Sequence, residues 1–122
     1  MAIKVIDASA FAAVLFAEPE ADQIVSLLGN DTLAAPSLLA FEVASVCLKK
    51  LRRYPQKQDV ILAAYALGCR LDIEVIPVPL VEAIPLAEQK GLTLYDAVYV
   101  WLAKHLNTDI ITLDKLMQKA LH

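Results

Sequence analysis

At 122 residues the chain has room for one domain, 1-122, that buries roughly two-thirds of the surface its unfolded form exposes. Its 58% hydrophobic and 20% charged residues imply a sheet covered on both faces, or a covered interface. The longest apolar stretches, Ala8 to Ala17 and Ala97 to Ala103, fall short of the about 18 residues a bilayer span needs. No basic n-region precedes the first of them, so neither membrane nor secretion is expected, and cytoplasm is.

Ile3 to Ile6 is a β-branched run that reads as a strand, and Asp7-Ala8-Ser9 leads from it into a helix reaching Ala17. A second helix, Ala21 to Leu28, stops at Gly29-Asn30, and a short strand follows at Thr32 to Ala35. Pro36-Ser37 opens a long helix to about Tyr54, which Pro55 ends by removing a backbone donor. Lys57 to Leu67 is helical again, with Gly68 at its close. Asp72 to Val78 carries Glu74 and Pro77 among its apolar residues and suits an edge strand. Helices at Val81 to Lys90 and from Thr93 to Leu106, a strand at Asp109 to Leu113, and a helix at Asp114 to Leu121 complete the order βααβααβααβα. Strands that alternate with helices and never form hairpins imply a parallel sheet with right-handed crossovers.

Four carboxylates interrupt or end apolar segments in this series. Asp7 closes the first strand, Glu42 sits inside Leu38-Leu39-Ala40-Phe41-Glu42-Val43-Ala44, Asp96 opens Ala97 to Trp101, and Asp114 follows Ile110 to Leu113. A half-buried carboxylate needs a partner, because an unpaired charge is strongly disfavoured away from water. In a parallel sheet the loops after the strand carboxyl ends share one rim, where ligands bind, so Asp7 and Asp114 belong there. Glu42 has Leu38, Leu39 and Val46 as helical neighbours, and Asp96 has Leu92, Tyr99 and Val100, so both face inward.

Capping is the competing account. Asp7 and Asp114 stand where N-caps would, and Asp96 is the third residue of a capping box begun by Thr93. Glu42 has no cap to make, and Lys49 and Lys50 are about two turns away, too far for an i+4 pair. Gathered together, the four are hard oxygen ligands suited to Mg²⁺ or Mn²⁺. A pair of such ions about 3.5–4 Å apart activates water for in-line phosphodiester hydrolysis. No Ser-His-Asp or Cys-His arrangement is visible: His105 lies late in a helix and His122 is terminal. Cys47 and Cys69 lack metal or redox spacing and read as buried free thiols.

The segments VIDASA, PSLLAFEVASV, LTLYDAVYVWLA and IITLDKLM, in that order and spacing, resemble the PIN domain family and within it the VapC-type toxins of bacterial toxin–antitoxin pairs. The resemblance implies a three-layer α/β/α fold with a central parallel sheet of four strands, or five where the family's further strand is present. It also implies a homodimer and metal-dependent cleavage of single-stranded or loop regions of RNA, with a small antitoxin as partner, its tail occupying the acidic groove. Asp7, Glu42, Asp96 and Asp114 match the family's catalytic and metal-binding acids, while Ser9 and Thr112 match the hydroxyl residues beside them. Thr112 is then expected to orient Asp114 or a metal-bound water, though an ordinary strand threonine would read the same. Ser9 equally suits a helix-terminal amide. Many family members carry another short strand after the last helix; here the sequence ends at His122, leaving one sheet edge for a partner subunit.

RNA contact has fewer markers. Lys49, Lys50, Arg52, Arg53 and Lys57 form the one basic cluster, serving either phosphates or a solvated helix end favoured by the macrodipole. Tyr54, Tyr95 and Trp101 are candidate base-stacking groups, although Tyr99 and Trp101 fall in an apolar helix and suit a core or interface. Two alternatives stand beside the ribonuclease. A catalytically silent PIN scaffold would act through protein contacts alone. A phospho-accepting receiver domain would need adjacent acids after the first strand and a lysine after the last; Lys115 is present, but Asp7-Ala8 lacks the pair.

Overall fold

The computed structural model describes residues 2–121, so the terminal His122 lies outside the described residues. Strand β1 (Ile3–Ile6) ends at Asp7, whose side chain caps α1 (Ala8–Leu15) by accepting from the Ala10 amide. This helix stops two residues short of the expected end because Ala17 turns into the left-handed region at φ 51°. Next come α2 (Ala21–Leu28), closed by Gly29 at φ 53°, and β2 (Thr32–Ala35). The 16-residue α3 (Leu38–Arg53) follows, and a 3-10 turn at Pro55–Lys57 separates it from α4 (Gln58–Gly68). The chain then forms β3 (Ile73–Val75) and α5 (Leu80–Lys90), which ends on a left-handed Gly91. It finishes with α6 (Leu94–His105), β4 (Ile110–Ile111) and α7 (Lys115–Leu121).

All strand pairs are parallel and the sheet order is β3-β2-β1-β4. Successive strand residues point to opposite faces, and each face carries its own core. Val5 and Ile110 pack with Ala83, Val98 and Met117 from α5, α6 and α7. Ile6 and Ile111 pack with Phe11, Ile24, Leu39 and Val43 from α1, α2 and α3, with Tyr65 of α4 against them. The described residues therefore form a three-layer α/β/α fold with four strands. Receiver domains place the third strand beside the first, in the flavodoxin-like order; here β3 lies outside β2, which removes that alternative.

Both short strands are shorter than expected, for different reasons. The Ile76 amide still bonds to Ala35 O, but Pro77 has no donor with which to continue β3. Beyond Ile111 the backbone donors turn to side chains: the Leu113 amide bonds to Ser9 Oγ and the Asp114 amide to Thr112 Oγ1. Cys47 is buried in α3 as expected, whereas Cys69 is exposed and corrects the expectation. It lies just past α4, whose buried residues are Ile61 and Gly68. Among the described residues, no helix is long and apolar enough to cross a membrane.

Candidate active site

From β1 the chain moves to β2 and then β3 on one side, and later returns to set β4 on the other side of β1. The carboxyl ends of β1 and β4 thus flank the point where strand order reverses, the place such sheets bind ligands. Asp7 and Asp114 stand there, with the Asp7 amide bonded to Ile111 O at 3.1 Å. Asp7 is only 4% exposed. Its Oδ1 accepts from Ser9 Oγ at 2.7 Å and from the Ala10 amide at 3.0 Å, and its Oδ2 accepts from the Thr112 hydroxyl.

Thr112 joins two of the acids. Its hydroxyl donates to Asp7 and accepts from the Asp114 amide at 2.9 Å, so it fixes the Asp7 carboxylate and the Asp114 backbone, not the Asp114 side chain. Ser9 does similar work, donating to Asp7 and accepting from the Leu113 amide at 3.0 Å. Asp114 caps α7 through Oδ1, which accepts from the Leu116 and Met117 amides. Capping and clustering are thus compatible, because the cap is made through one carboxylate oxygen.

Glu42 and Asp96 approach from opposite sides of the sheet. Glu42 is half-buried on α3, and its partner is neither lysine nor arginine: Tyr99 of α6 donates its phenolic hydrogen to Glu42 Oε1 at 2.7 Å. Tyr99 is 1% exposed and carries a hydroxyl among the buried apolar residues Ala97, Val98 and Val100 of α6. The expectation of a core residue holds for it, but its polar role at the site has no sequence signal beyond a tyrosine in an apolar helix. Asp96 is half-buried in the first turn of α6, where its amide bonds to Thr93 Oγ1 at 3.1 Å.

Burial dominates the electrostatics of these side chains, and neighbouring carboxylate charges add to it. Burial pushes the Asp7 carboxyl above its ordinary value, against the hydrogen bonds of Thr112, Ala10 and Ser9, and the Asp114 charge adds to the rise. Burial likewise raises Glu42, opposed by the Tyr99 hydroxyl and reinforced by Asp7 and Asp96. Asp96 is raised by burial, then by the charges of Asp114 and Asp7. Tyr99 is pushed up by burial and by its bond to Glu42, with Asp7 and Asp96 adding to the effect.

Among the described residues, no group of three or more His, Cys, Asp or Glu side chains is placed to hold a metal ion. The donor set still fits a hard divalent cation, because Mg²⁺ keeps several waters and is commonly held by one or two carboxylates plus substrate phosphates. The basic cluster divides. Lys49, Arg52, Arg53 and Lys57 are exposed, the last two lying over Tyr54 at 5.5 and 5.7 Å, while Lys50 pairs with Glu18 at 3.0 Å. His105 is exposed and stacks on Trp101 at 4.7 Å, and Trp101 Nε1 donates to Glu82 Oε1 at 3.4 Å.

The sequence profile described as PIN domain matches residues 4–120. Ribonuclease VapC3 of Pyrobaculum aerophilum is 31% identical over 116 residues, covering 91% of this chain and 88% of that protein. The crystal structure of PAE2754 from Pyrobaculum aerophilum shares the fold, with a TM-score of 0.66 over 98% of this chain and 84% of that one, at 21% identity. With sheet order, family profile and a relative of nearly equal length in agreement, the chain belongs to the PIN domain family.

Proposed function

We propose that this protein is a metal-dependent endoribonuclease, the toxin component of a toxin–antitoxin pair, with Asp7, Glu42, Asp96 and Asp114 as its metal-holding and catalytic residues. The observation that carries this reading is the placement of Asp7 and Asp114 at the sheet's switch point, joined through the Thr112 hydroxyl, with Glu42 and Asp96 on the helices to either side. The ribonuclease name of the 31% identical relative supports the same activity, and its VapC designation supports a cognate antitoxin. When bound, Mg²⁺ or Mn²⁺ would neutralise this charge and lower the pKa of water for in-line attack on an RNA phosphodiester.

The chain's own residues supply position. Ser9 and Thr112 immobilise Asp7 and hold the Asp114 backbone beside it, while Tyr99 holds Glu42 across the gap between α3 and α6. Such supporting bonds orient ligands and tune their basicity. From Glu42, α3 extends about 10 Å to Lys49 at 1.5 Å per residue, so Lys49, Arg52, Arg53 and Lys57 are assigned to the RNA backbone. Lys50, engaged by Glu18, is left out. A homodimer and an antitoxin tail entering the acidic groove belong to the same proposal.

The test adds Mg²⁺ or Mn²⁺ to purified, antitoxin-free protein with total cellular RNA and maps new 5′ ends. Metal-dependent cuts that vanish in Asp7→Ala and Asp96→Asn are expected. Identical RNA profiles for wild type and both folded variants would defeat the nuclease reading and leave the silent scaffold.

A further inference from the structure

An apolar pocket lies one helical turn from Glu42 and Tyr99. Pro36, Ser37, Leu38, Leu80, Leu94 and Tyr95 line this pocket of about 290 Å³. Its place follows from two helical spacings. Leu38 is four residues before Glu42 on α3, and Tyr95 is four residues before Tyr99 on α6. The Glu42–Tyr99 hydrogen bond therefore forms its inner neighbour, about 6 Å further along both helices. Tyr95 is 61% exposed and adjoins Asp96, so a large aromatic ring faces solvent beside the acids.

Three helices, α3, α5 and α6, begin at this pocket. Their positive dipole ends favour a polyanion where the carboxylates alone would repel it. Ser37 makes no side-chain capping bond, so its hydroxyl is spared for another partner.

We propose that this pocket is a subsite for one unpaired nucleobase of the RNA, flanking the phosphate to be cut. The base stacks on Tyr95 against Leu38, Leu80 and Leu94, and Ser37 is placed to bond its edge. Stacking of this kind requires a base free of its duplex, in keeping with the single-stranded or looped RNA that the family resemblance implies. The inference rests on the nuclease reading above, and adds to it the residues that choose what is cut.

The test uses a short single-stranded RNA spanning a mapped cleavage site, with each nucleotide beside the cut replaced in turn by an abasic one. In wild type, one position is expected to lose about tenfold in kcat/KM, the scale of one base–aromatic stack. In Tyr95→Ala that position's penalty should largely disappear, and in Tyr95→Trp it should persist. Cleavage with equal abasic penalties in wild type and Tyr95→Ala would overturn the subsite while leaving the nuclease intact. If no RNA is cut, binding of the same strand carrying 2-aminopurine decides: quenching by wild type but not by Tyr95→Ala upholds the subsite, and equal signals overturn it. Conversion of a dimer to a monomer by Tyr95→Ala, read by sedimentation, would also overturn it, marking the pocket as a contact between copies.

Discussion

Asp7 is the most constrained acid of the site, and one hydroxyl accounts for much of that constraint. Thr112→Val keeps the side chain's shape but strips the donor from Asp7 Oδ2 and the acceptor from the Asp114 amide. A loss of about 1–3 kcal/mol is expected, the cost of leaving buried polar groups unpaired, measurable by urea denaturation. Thr112→Ser should recover most of it. Tyr99→Phe probes the other side of the site. The ring still fills its buried place, but Glu42 loses its donor and is half-exposed to water, so stability should fall by only about 1 kcal/mol. RNA cleavage should fall much further than the fraction unfolded, which paired kinetic and melting measurements will separate. Unchanged cleavage in Tyr99→Phe would remove this tyrosine from the site.

At the scale of elements, the position of α3 depends on how closely α1 and α4 pack beside it. Gly68, buried at the end of α4, meets Leu15 of α1 so closely that an added Cβ would lie 2.5 Å from both terminal methyl carbons and 2.6 Å from Cγ. The whole leucine side chain would have to move. Gly68→Ala is therefore expected to destabilise the fold by about 1–3 kcal/mol despite its better helix propensity, seen as a lower denaturation midpoint. A stabilised Gly68→Ala would mean that α4 can slide over α1 without cost. The local sequence marks Gly68 only as a helix stop. That the stop is also a contact point follows from which helix lies opposite, and Leu15 is more than fifty residues away.

For the whole molecule, the burial of three of these acids sets how its stability responds to pH. The carboxyls of Asp7, Glu42 and Asp96 are raised above ordinary values of 3.8, 4.5 and 3.8. A raised carboxyl binds its proton more tightly in the folded state, so the stability it adds is fully present below the unfolded value and is lost as pH rises through the folded one. Metal-free protein should therefore lose Tm between mildly acidic and neutral pH, and Asp96→Asn should flatten that loss. Mg²⁺ or Mn²⁺ at a hundred times its Kd should restore about 2.7 kcal/mol at neutral pH, and Asp7→Ala should abolish the response. A wild-type Tm indifferent to both pH and cation would contradict the proposed metal site.

The chain by itself determined its elements and its suspects. Strand and helix order follows from local periodicity and from breakers such as Gly29, Pro55 and Gly91, and each acid is conspicuous because it interrupts an apolar run. Local signals also misled: Cys69 looked buried because its neighbours are apolar, and Lys50 looked free because Glu18 is distant in sequence. Tertiary structure alone decided which suspects meet. Placing β4 against β1 brings Thr112 to Asp7 across 105 residues, and packing α6 across from α3 brings Tyr99 to Glu42 across 57. Contacts at such separations leave no periodic trace in a sequence, because they depend on strand order and packing, whereas periodicity reports only which way a side chain faces along its own element.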